Sequence, residues 1–321
     1  MDIHKLQRYD PQAVHAPTHA LDDRPGPPRD QDVLLIGAGN SGETVTLRCQ
    51  ALGYRDGRLL PAIGINNDRL APRAVTVCQD NGTPVSLALT DRLVLDGENP
   101  RDQLTAYPLL EERYGIVLRG IPVFETYPRA GAGGHGHPVI AALDIDLHIA
   151  EVLALLRRAI RGLRDLPPDV PGQSAVQRLI ARYQQRQDAA PEKHIVVIGG
   201  ACGAMGNATH HLLPYLIRTV LAEHGITRYQ LWGVVLGPQA FTGLTPFVRH
   251  NYRAVLEALE HMSRAGQQRT YLNDLTIRMQ RPPYDRVFLL DDPTLPGPGG
   301  GESLAAVTRH SLADHCQSHC Q

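Results

Sequence analysis

Short apolar runs that end at glycine alternate along this chain with stretches of helical periodicity. Residues 33–37 (VLLIG) are continuously apolar, which is typical of a strand buried on both faces. The pattern that follows predicts a helix over 40–53 and a second strand over 59–66. Strand, turn, helix and strand in succession form one βαβ unit. The pattern therefore predicts a three-layer, Rossmann-like α/β fold, with a mostly parallel sheet and helices on both faces.

A second apolar run ends at glycine over 194–200 (HIVVIGG), and a helix that ends near Gly225 follows it. Residues 74–96 are predicted to form a small hairpin, because Asp80-Asn81-Gly82 supplies turn residues between two alternating stretches. The remaining elements follow from periodicity alone. They are helices over 101–113, 138–165, 173–187 and 246–265, and strands over 229–237 and 285–292.

Composition divides the chain into three parts. Residues 1–31 are rich in proline and charge and are predicted to be a disordered tail. Residues 32–293 contain all the predicted strands and form the α/β domain. Residues 294–321 are predicted to be a Pro/Gly linker followed by a short helix over 302–316.

Charge and length exclude several classes of protein. The 321 residues carry 32 Lys+Arg and 33 Asp+Glu, a formal net charge of −1, which argues against a nucleic-acid partner. The chain has neither an apolar run long enough for a membrane span nor an N-terminal secretory signal. Its five cysteines are too scattered for a disulfide scaffold. We therefore expect a cytoplasmic protein with no membrane partner.

The first Gly-rich loop, GAGNSGE (37–43), lies between the first strand and the first helix and fits G-x-G-x-x-G. Glycines let the backbone approach a phosphate closely, and a helix N-terminus offers free N–H groups and the positive end of a dipole. The pattern therefore predicts a phosphate-binding loop. Its candidate residues are Gly37, Gly39, Asn40, Ser41, Gly42 and Glu43.

Two further Gly-rich segments precede predicted helices, GGACGAMGN (199–207) and RAGAGGHGHP (129–138). In the third segment, His135 and His137 are either phosphate contacts or solvent-exposed loop residues. Three such loops together indicate one polyphosphate held from several sides. The candidate residues are Gly199, Gly200, Cys202, Gly203, Ala204, Gly206 and Asn207 in the second loop, and Gly131, Gly133 and Gly134 in the third.

Polar residues follow the second strand in the segment INND (65–68). Asn66, Asn67 and Asp68 stand at the carboxyl edge of a parallel sheet, where they could contact a ribose or a phosphate. In a dinucleotide-binding fold, Asp68 would instead bind the ribose hydroxyls. The sequence leaves both roles open.

These four segments, in this order, resemble the tubulin/FtsZ superfamily of GTP-binding proteins, and most closely its divergent bacterial tubulin-like members. The resemblance covers roughly residues 32–292, and GVVLGP (233–238) and YDRVFLLDD (284–292) are similar to later core strands of the family. It implies GTP or GDP as ligand, with Mg²⁺ as its candidate companion. It also places Asn251, in RHNYRAVLEALE (249–260), against the guanine, and Tyr252 beside it, stacked on the base or packed nearby.

The sequence departs from the family pattern in ways that bear on hydrolysis. Ala201, Cys202, Ala204 and Met205 replace the hydroxyl residues of the family's phosphate signature. LNDLT (272–276) has the wrong spacing for the family's acidic loop, and the chain ends at Gln321, where the second domain of the family would begin. We therefore expect binding with weak or absent GTPase activity and leave any catalytic residue unassigned. We also expect a homo-oligomer or a partner protein in an assembly or scaffolding role.

Two other functions remain open on the sequence. The first is a Rossmann-type oxidoreductase that uses GAGNSG for NAD(P) or FAD. The second is a tubulin-like interaction scaffold that binds no nucleotide.

Cysteine and histidine add two minor hypotheses. Cys202, near a predicted helix N-terminus, is either a reactive thiol with a lowered pKa or a small packing residue. The tail residues His315, Cys316, His319 and Cys320 have a spacing that could bind zinc only together with a partner chain, and we predict no metal site.

Overall fold

The structure of the protein is a computed structural model. It describes residues 30, 32–69, 74–78, 84–97, 99–125, 133–163, 192–241 and 246–291. The predicted tail (Asp30 excepted), the helix over 173–187, the linker and the C-terminal helix lie outside the described residues.

Ten strands are present in the described part of the chain. They are β1 (Val33–Ala38), β2 (Ala62–Asn66), β3 (Ala74–Cys78), β4 (Pro84–Ala88), β5 (Asp91–Val94), β6 (Lys193–Gly200), β7 (Tyr229–Leu236), β8 (Gln267–Thr270), β9 (Thr276–Met279) and β10 (Arg286–Leu290). Six of them form the central sheet in the order β10-β7-β6-β1-β2-β5, and all neighbours in it are parallel. The chain moves outward from β1 in one direction and from β6 in the other, so the topological switch point lies between β1 and β6.

Helices cover both faces of this sheet. They are α1 (Gly39–Arg55), α2 (Pro100–Ala106), α3 (Pro108–Arg119), α4 (Pro122–Glu125), α5 (Pro138–Leu147), α6 (Ile149–Arg161), α7 (Ala204–Glu223) and α8 (Pro246–Ala265). Strand β1 shows why its apolar run is continuous: Val33 and Leu35 pack with residues of α1, while Leu34 and Ile36 pack with α6, α7 and α8 on the other face. The predicted fold class is confirmed by this layering and strand order.

The stretch predicted as one helix over 101–113 is two helices, because a proline interrupts it. Pro108 begins α3, and the residue before a proline is driven out of the helical region. Tyr107 accordingly has φ −116° and ψ 103°. The chain turns there, and α2 and α3 form separate helices.

The predicted helix over 138–165 is also divided, at His148. The backbone of His148 lies outside the helical region, with φ −106° and ψ 27°. The His148 Nδ1 lies 2.9 Å from the Asp144 carbonyl oxygen, and Nε2 lies 3.2 Å from that of Asp96, in the segment after β5. These contacts tie the break between α5 and α6 to the sheet.

The hairpin predicted over 74–96 is only partly correct. Strands β3 and β4 pair antiparallel, as predicted, and the turn between them lies outside the described residues. Strand β5 was not predicted; it pairs in parallel with β2 at the edge of the main sheet. The β8–β9 hairpin was also missed, because each strand has only four residues and little apolar alternation. In the described part of the chain, no helix has the length and apolarity that a membrane crossing requires.

Candidate functional site

A cavity of about 320 Å³ opens at the carboxyl ends of β1, β2 and β6, beside the switch point of the sheet. This is the position at which open α/β sheets bind ligands. Twelve predicted site residues line it: Gly39, Asn40, Ser41, Asn66, Asn67, Asp68, Gly133, Gly134, Gly200, Gly203, Ala204 and Gly206. The fold therefore brings all three Gly-rich loops and the segment after β2 to one cavity. His135 lines it too, although this residue is exposed to solvent.

Three helices, α1, α5 and α7, begin at or near this cavity: the first residues of α1 and α7 line it, and α5 begins two residues after Gly136, which lines it. Their N-cap residues are Ala38, His137 and Gly203, and in none of the three does the N-cap side chain accept a hydrogen bond from the helix. None of the three has an acidic residue in its first turn. The positive ends of three helix dipoles are thus left for an anionic ligand.

The charges around the cavity are sparse. Of the described residues that line it, none is a lysine or an arginine, and Asp68 is the carboxylate among them. An anion would therefore be held by backbone N–H groups and helix dipoles, since no described cationic side chain faces it directly.

A chain of hydrogen bonds organises the end of β2. Asn66 Nδ2 donates to Asn40 Oδ1 (2.9 Å) and to Glu43 Oε2 (2.8 Å), and Asn40 Nδ2 donates to Asp68 Oδ2 (2.8 Å). The first Gly-rich loop and the INND segment are thereby joined. Their polar side chains are held in place before any ligand binds.

Glu43 supports the site from beneath and does not line the cavity. Its carboxylate is fully buried and accepts from Arg92 Nε (2.8 Å) and Nη2 (3.1 Å). Burial raises the pKa of Glu43, while the hydrogen bonds from Arg92 and Asn66 oppose that rise. Arg92 Nη2 also donates to the Asp68 carbonyl oxygen (3.1 Å). Sequence analysis missed Arg92, because it lies on β5, the strand that was not predicted.

Asn67 connects the cavity wall to a second buried carboxyl group. Its carbonyl oxygen accepts from Gly133 N (2.7 Å), and its Nδ2 donates to Asp144 Oδ2 (2.8 Å). Burial raises the pKa of Asp144 to about 7, although the hydrogen bond from Asn67 and the charge of His148 each act to lower it. The sequence offered no signal for Asp144, which stands within the apolar periodicity of α5.

The glycines of the first loop have two different roles. Gly39 has φ +67°, a conformation that side chains other than glycine rarely adopt, and it lines the cavity. Gly42 instead allows α1 to pack on β6, since a Cβ there would lie 2.2 Å from the Ile198 carbonyl oxygen. Gly37 and Gly199 likewise lie behind the cavity, and Gly131 is outside the described residues.

His210 contacts the backbone of the second Gly-rich loop and does not line the cavity. The sequence analysis did not predict it as a site residue. Its Nε2 lies 3.2 Å from the Gly199 carbonyl oxygen, which can only accept, so Nε2 carries the proton. Nδ1 then accepts from the Tyr284 hydroxyl at 2.9 Å. Burial lowers the pKa of His210 to about 4, which keeps the imidazole neutral at physiological pH.

Besides Gly37, Gly42, Glu43 and Gly199, four further predicted site residues do not line the cavity: Cys202, Asn207, Asn251 and Tyr252. Of the two alternatives for Cys202, the structure favours the small packing residue, because burial and the nearby Asp291 raise the pKa of its thiol to about 11. Asn251 Nδ2 donates to the Gly136 (2.7 Å) and Cys202 (3.0 Å) carbonyl oxygens.

The remaining minor hypotheses concern hydrolysis and metal binding. Asn273 and Asp274 lie in the turn between β8 and β9, where Asn273 Oδ1 accepts from Leu275 N (3.3 Å) and Asp274 has φ +61°. Both are turn residues away from the cavity lining. Within the described ranges, no group of three or more His, Cys, Asp or Glu side chains could hold a metal ion. The His/Cys tail lies outside those ranges.

No protein-family model matches the chain, and no curated protein matches it. Solved structures similar to it include CetZ2 from Haloferax volcanii in a GTPγS-bound protofilament, at 14% identity and a TM-score of 0.45, covering 89% of this chain and 57% of that one. TubZ from Bacillus thuringiensis serovar israelensis, in GDP-form protofilaments, matches at 11% identity and a TM-score of 0.40, covering 89% and 54%. TubZ of Clostridium botulinum phage c-st matches at 9% identity and a TM-score of 0.35, covering 73% of this chain and 49% of that one.

The chain spans about half the length of these solved structures. These solved structures are tubulin/FtsZ-family proteins, and the likeness of this chain to them is one of fold alone. At TM-scores below 0.5, it carries nothing about the ligand, the site or the assembly of this protein.

Proposed function

We propose that this protein binds a guanine nucleotide, GTP or GDP, with its phosphates in the cavity at the carboxyl ends of β1, β2 and β6. The observation that carries the proposal is the convergence of three Gly-rich loops, each at a helix N-terminus without a side-chain cap, on one cavity. A single Gly-rich turn can also serve tight packing, as Gly42 does against the Ile198 carbonyl oxygen. Helix N-termini at or near one cavity favour a ligand that carries several negative charges.

The preference for guanine is the finer part of the proposal and rests on the sequence motifs. The resemblance of GAGNSGE, INND, AGAGGHG and GGACGAMG to the tubulin/FtsZ pattern supports it. An assembly or scaffolding role, as a homo-oligomer or with a partner protein, rests on the same resemblance.

The donor set at the cavity fits Mg²⁺ as a companion of the nucleotide. Asp68 supplies a carboxylate, and magnesium prefers oxygen ligands from one or two carboxylates together with substrate phosphates. Asp68 and the phosphates would hold the ion, and Asn40 and Asn66 fix the position of that carboxylate. When bound, the ion would offset phosphate charge that no described lysine or arginine of the lining neutralises.

We propose binding with slow or no hydrolysis. Among the described residues of the cavity lining, the only carboxylate is Asp68, and it already accepts from Asn40. A general base for attack on a phosphate needs a carboxylate or imidazole within hydrogen-bond reach of the attacking water. His135 is the remaining titratable group on the lining, and this residue is exposed to solvent.

The proposal is tested by the small molecules that purified protein carries. Protein is denatured immediately after purification, the released molecules are separated by ion-exchange chromatography, and thermal shifts are measured with GTP, GDP, ATP and NAD. We expect GDP or GTP in the released fraction and a stabilisation by guanine nucleotides, since ligands that bind the native state raise its apparent stability. Absence of both would remove the proposal.

A pair of variants at Ser41 tests the location. Ser41 lies on the cavity in the first turn of α1, so Ser41→Asp adds a negative charge where the helix dipole favours it. Stability should therefore be kept, while repulsion between the new carboxylate and the phosphates weakens nucleotide binding at least tenfold. Ser41→Asn, which is similar in size to aspartate and uncharged, should bind within a few-fold of the wild type. Equal affinities in both variants would place the phosphates elsewhere.

A dinucleotide-binding oxidoreductase is the second candidate, favoured by one observation. Counted from β1, the strand order is the 3-2-1-4-5-6 order of dinucleotide-binding folds, and Asp68 follows β2, where such folds place the carboxylate for the ribose. Release of NAD(P) or FAD from the purified protein would establish this function in place of the first.

A further inference from the structure

Two asparagine side chains behind the cavity join the second and third Gly-rich loops to each other. Asn251, on α8, donates from Nδ2 to the Gly136 carbonyl oxygen (2.7 Å) and to that of Cys202 (3.0 Å). Asn207, on α7, donates from Nδ2 to the Ala201 (2.9 Å) and Asn251 (2.9 Å) carbonyl oxygens. These four hydrogen bonds, the asparagine brace, connect the loop before α5, the turn before α7 and helix α8.

Each amide in the brace uses its full donor capacity. An asparagine Nδ2 carries two hydrogens, and each Nδ2 here has two carbonyl acceptors. Both side chains are buried, with 1% of Asn207 and 9% of Asn251 exposed. Because both hydrogens of each Nδ2 are donated to carbonyl oxygens, none is left for a base, and neither residue lines the cavity.

We propose that Asn251 and Asn207 are positioning residues that hold the two loops in register for phosphate binding, and that Asn251 does not read the nucleotide base through its amide nitrogen. This inference rests on the proposed function and deepens it. A buried carbonyl oxygen that loses its donor costs free energy, so the two loops keep their relative position as long as the brace is intact. The brace therefore acts on every phosphate ligand, whatever base it carries.

Replacement of Asn251 by aspartate separates positioning from base reading. Aspartate keeps an acceptor oxygen that could face a guanine, yet it loses both donors and places a carboxylate against two carbonyl oxygens. Asn251→Ala removes the donors without adding a charge. Asn99→Asp is the matched control for charge, since Asn99 Oδ1 accepts from Arg101 N at the start of α2 and aspartate caps helices equally well.

The first measurement is backbone hydrogen exchange of the ligand-free protein. The loop amides have carbonyl acceptors: Gly133 N donates to Asn67 O, His137 N to Gly134 O, and Ala201 N to Leu236 O. We expect both Asn251 variants to raise exchange about tenfold or more at both loops, while the β8–β9 hairpin and the Asn99→Asp protein are unchanged. Asn207 Nδ2 contacts the Ala201 and Asn251 carbonyl oxygens and no carbonyl of residues 133–137, so Asn207→Asp should raise exchange at 201–203 more than at 133–137. Unchanged exchange at both loops in both Asn251 variants would overturn the inference.

The second measurement is calorimetric affinity for three probes: inorganic tripolyphosphate, GTP and inosine triphosphate. Tripolyphosphate has no base, and inosine triphosphate lacks the 2-amino group of guanine. Positioning predicts that Asn251→Asp weakens all three by a similar factor of about ten or more. A loss for GTP with unchanged tripolyphosphate affinity would show base reading and contradict the inference. If the wild type binds none of the three, the proposed function fails, and the exchange at the two loops still decides whether the brace exists.

Discussion

Helix α5 carries two fully buried carboxyl groups, Asp144 and Asp146, whose surroundings differ. Asp146 Oδ2 accepts from Arg113 Nη1 and from Arg269 Nη2, both at 2.6 Å. Asp144 Oδ2 accepts from one neutral donor, Asn67 Nδ2 at 2.8 Å. The same helix thus compensates one buried carboxyl by ion pairing and the other by a neutral amide.

The two surroundings belong to different parts of the molecule. The Asp146 cluster joins α3 and α5 to the β8–β9 hairpin, and Tyr114 completes it with a hydroxyl that donates to Asp146 Oδ2 (2.9 Å). Arg113 Nη2 also donates to the Thr270 carbonyl oxygen (2.7 Å). Asp144 instead contacts Asn67, a residue that lines the cavity, and does not line the cavity itself. Depth of burial alone therefore does not decide how a carboxyl group is stabilised; the neighbouring elements do.

The largest effect is expected from Asp146→Asn. The substitution removes the carboxylate that pairs with Arg113 and Arg269, whose side chains are 20% and 16% exposed. Breaking one side of a buried ion pair typically costs about 3–5 kcal/mol, because the remaining charge is left without compensation. Urea unfolding at pH 8 measures this loss. Asp144→Asn under the same conditions should lose nothing, and equal losses in the two variants would contradict the comparison.

The next effect is a pH dependence specific to Asp144. Its pKa is about 7 in the folded protein and near its ordinary value of 3.8 when unfolded. Between these values the folded state binds more protons, so the contribution of Asp144 to stability is complete below about pH 4 and is lost as the pH rises through about 7. The difference in unfolding free energy, wild type minus Asp144→Asn, should therefore fall by about 3–4 kcal/mol across this range.

The stability of the wild type must be compared with that of Asp144→Asn, because two histidines change stability with pH in the direction opposite to Asp144. Burial lowers the pKa of both His210 and His211 to about 4. Each costs stability as the pH falls below about 6.5, since the unfolded state then binds the extra proton. Both histidines are unchanged in Asp144→Asn, so they cancel in the subtraction. A flat difference curve between pH 4 and 7 would show that Asp144 is already ionised in the folded state.

The smallest effect is expected from Asn67→Ala. The hydrogen bond from Asn67 lowers the pKa of Asp144, so its removal should move the midpoint of the pH-dependent loss upward. The lost bond should cost about 1–2 kcal/mol, because the buried oxygen is left without its donor. A double-mutant cycle with Asp144→Asn isolates the coupling between the two side chains. An unchanged midpoint would show that Asn67, which lines the cavity, does not influence the pKa of Asp144.

Much of the candidate site was predictable, because its glycines and short polar residues follow strands whose apolar runs are unmistakable. Gly39, Asn66 and Gly200 line the cavity as the motifs indicated. The residues that hold the lining side chains in place were not predictable from the sequence. Arg92 and Asp144 belong to elements whose sequences carry no chemical motif. The placement of Asn251 against a base came from the family resemblance, and the structure instead gives that side chain two loop carbonyls.

Local sequence determined the strands that are buried on both faces, the Gly-rich turns after them and the break at Pro108, because each depends on neighbouring residues alone. Tertiary structure decided which strand lies beside which. It thereby decided that β5 pairs with β2 and brings Arg92 to Glu43, and that α8 brings Asn251 to two loops from distant parts of the chain. Burial then determined the protonation of His210 and Asp144, since the cost of burying a charge depends on the groups that the fold places around it.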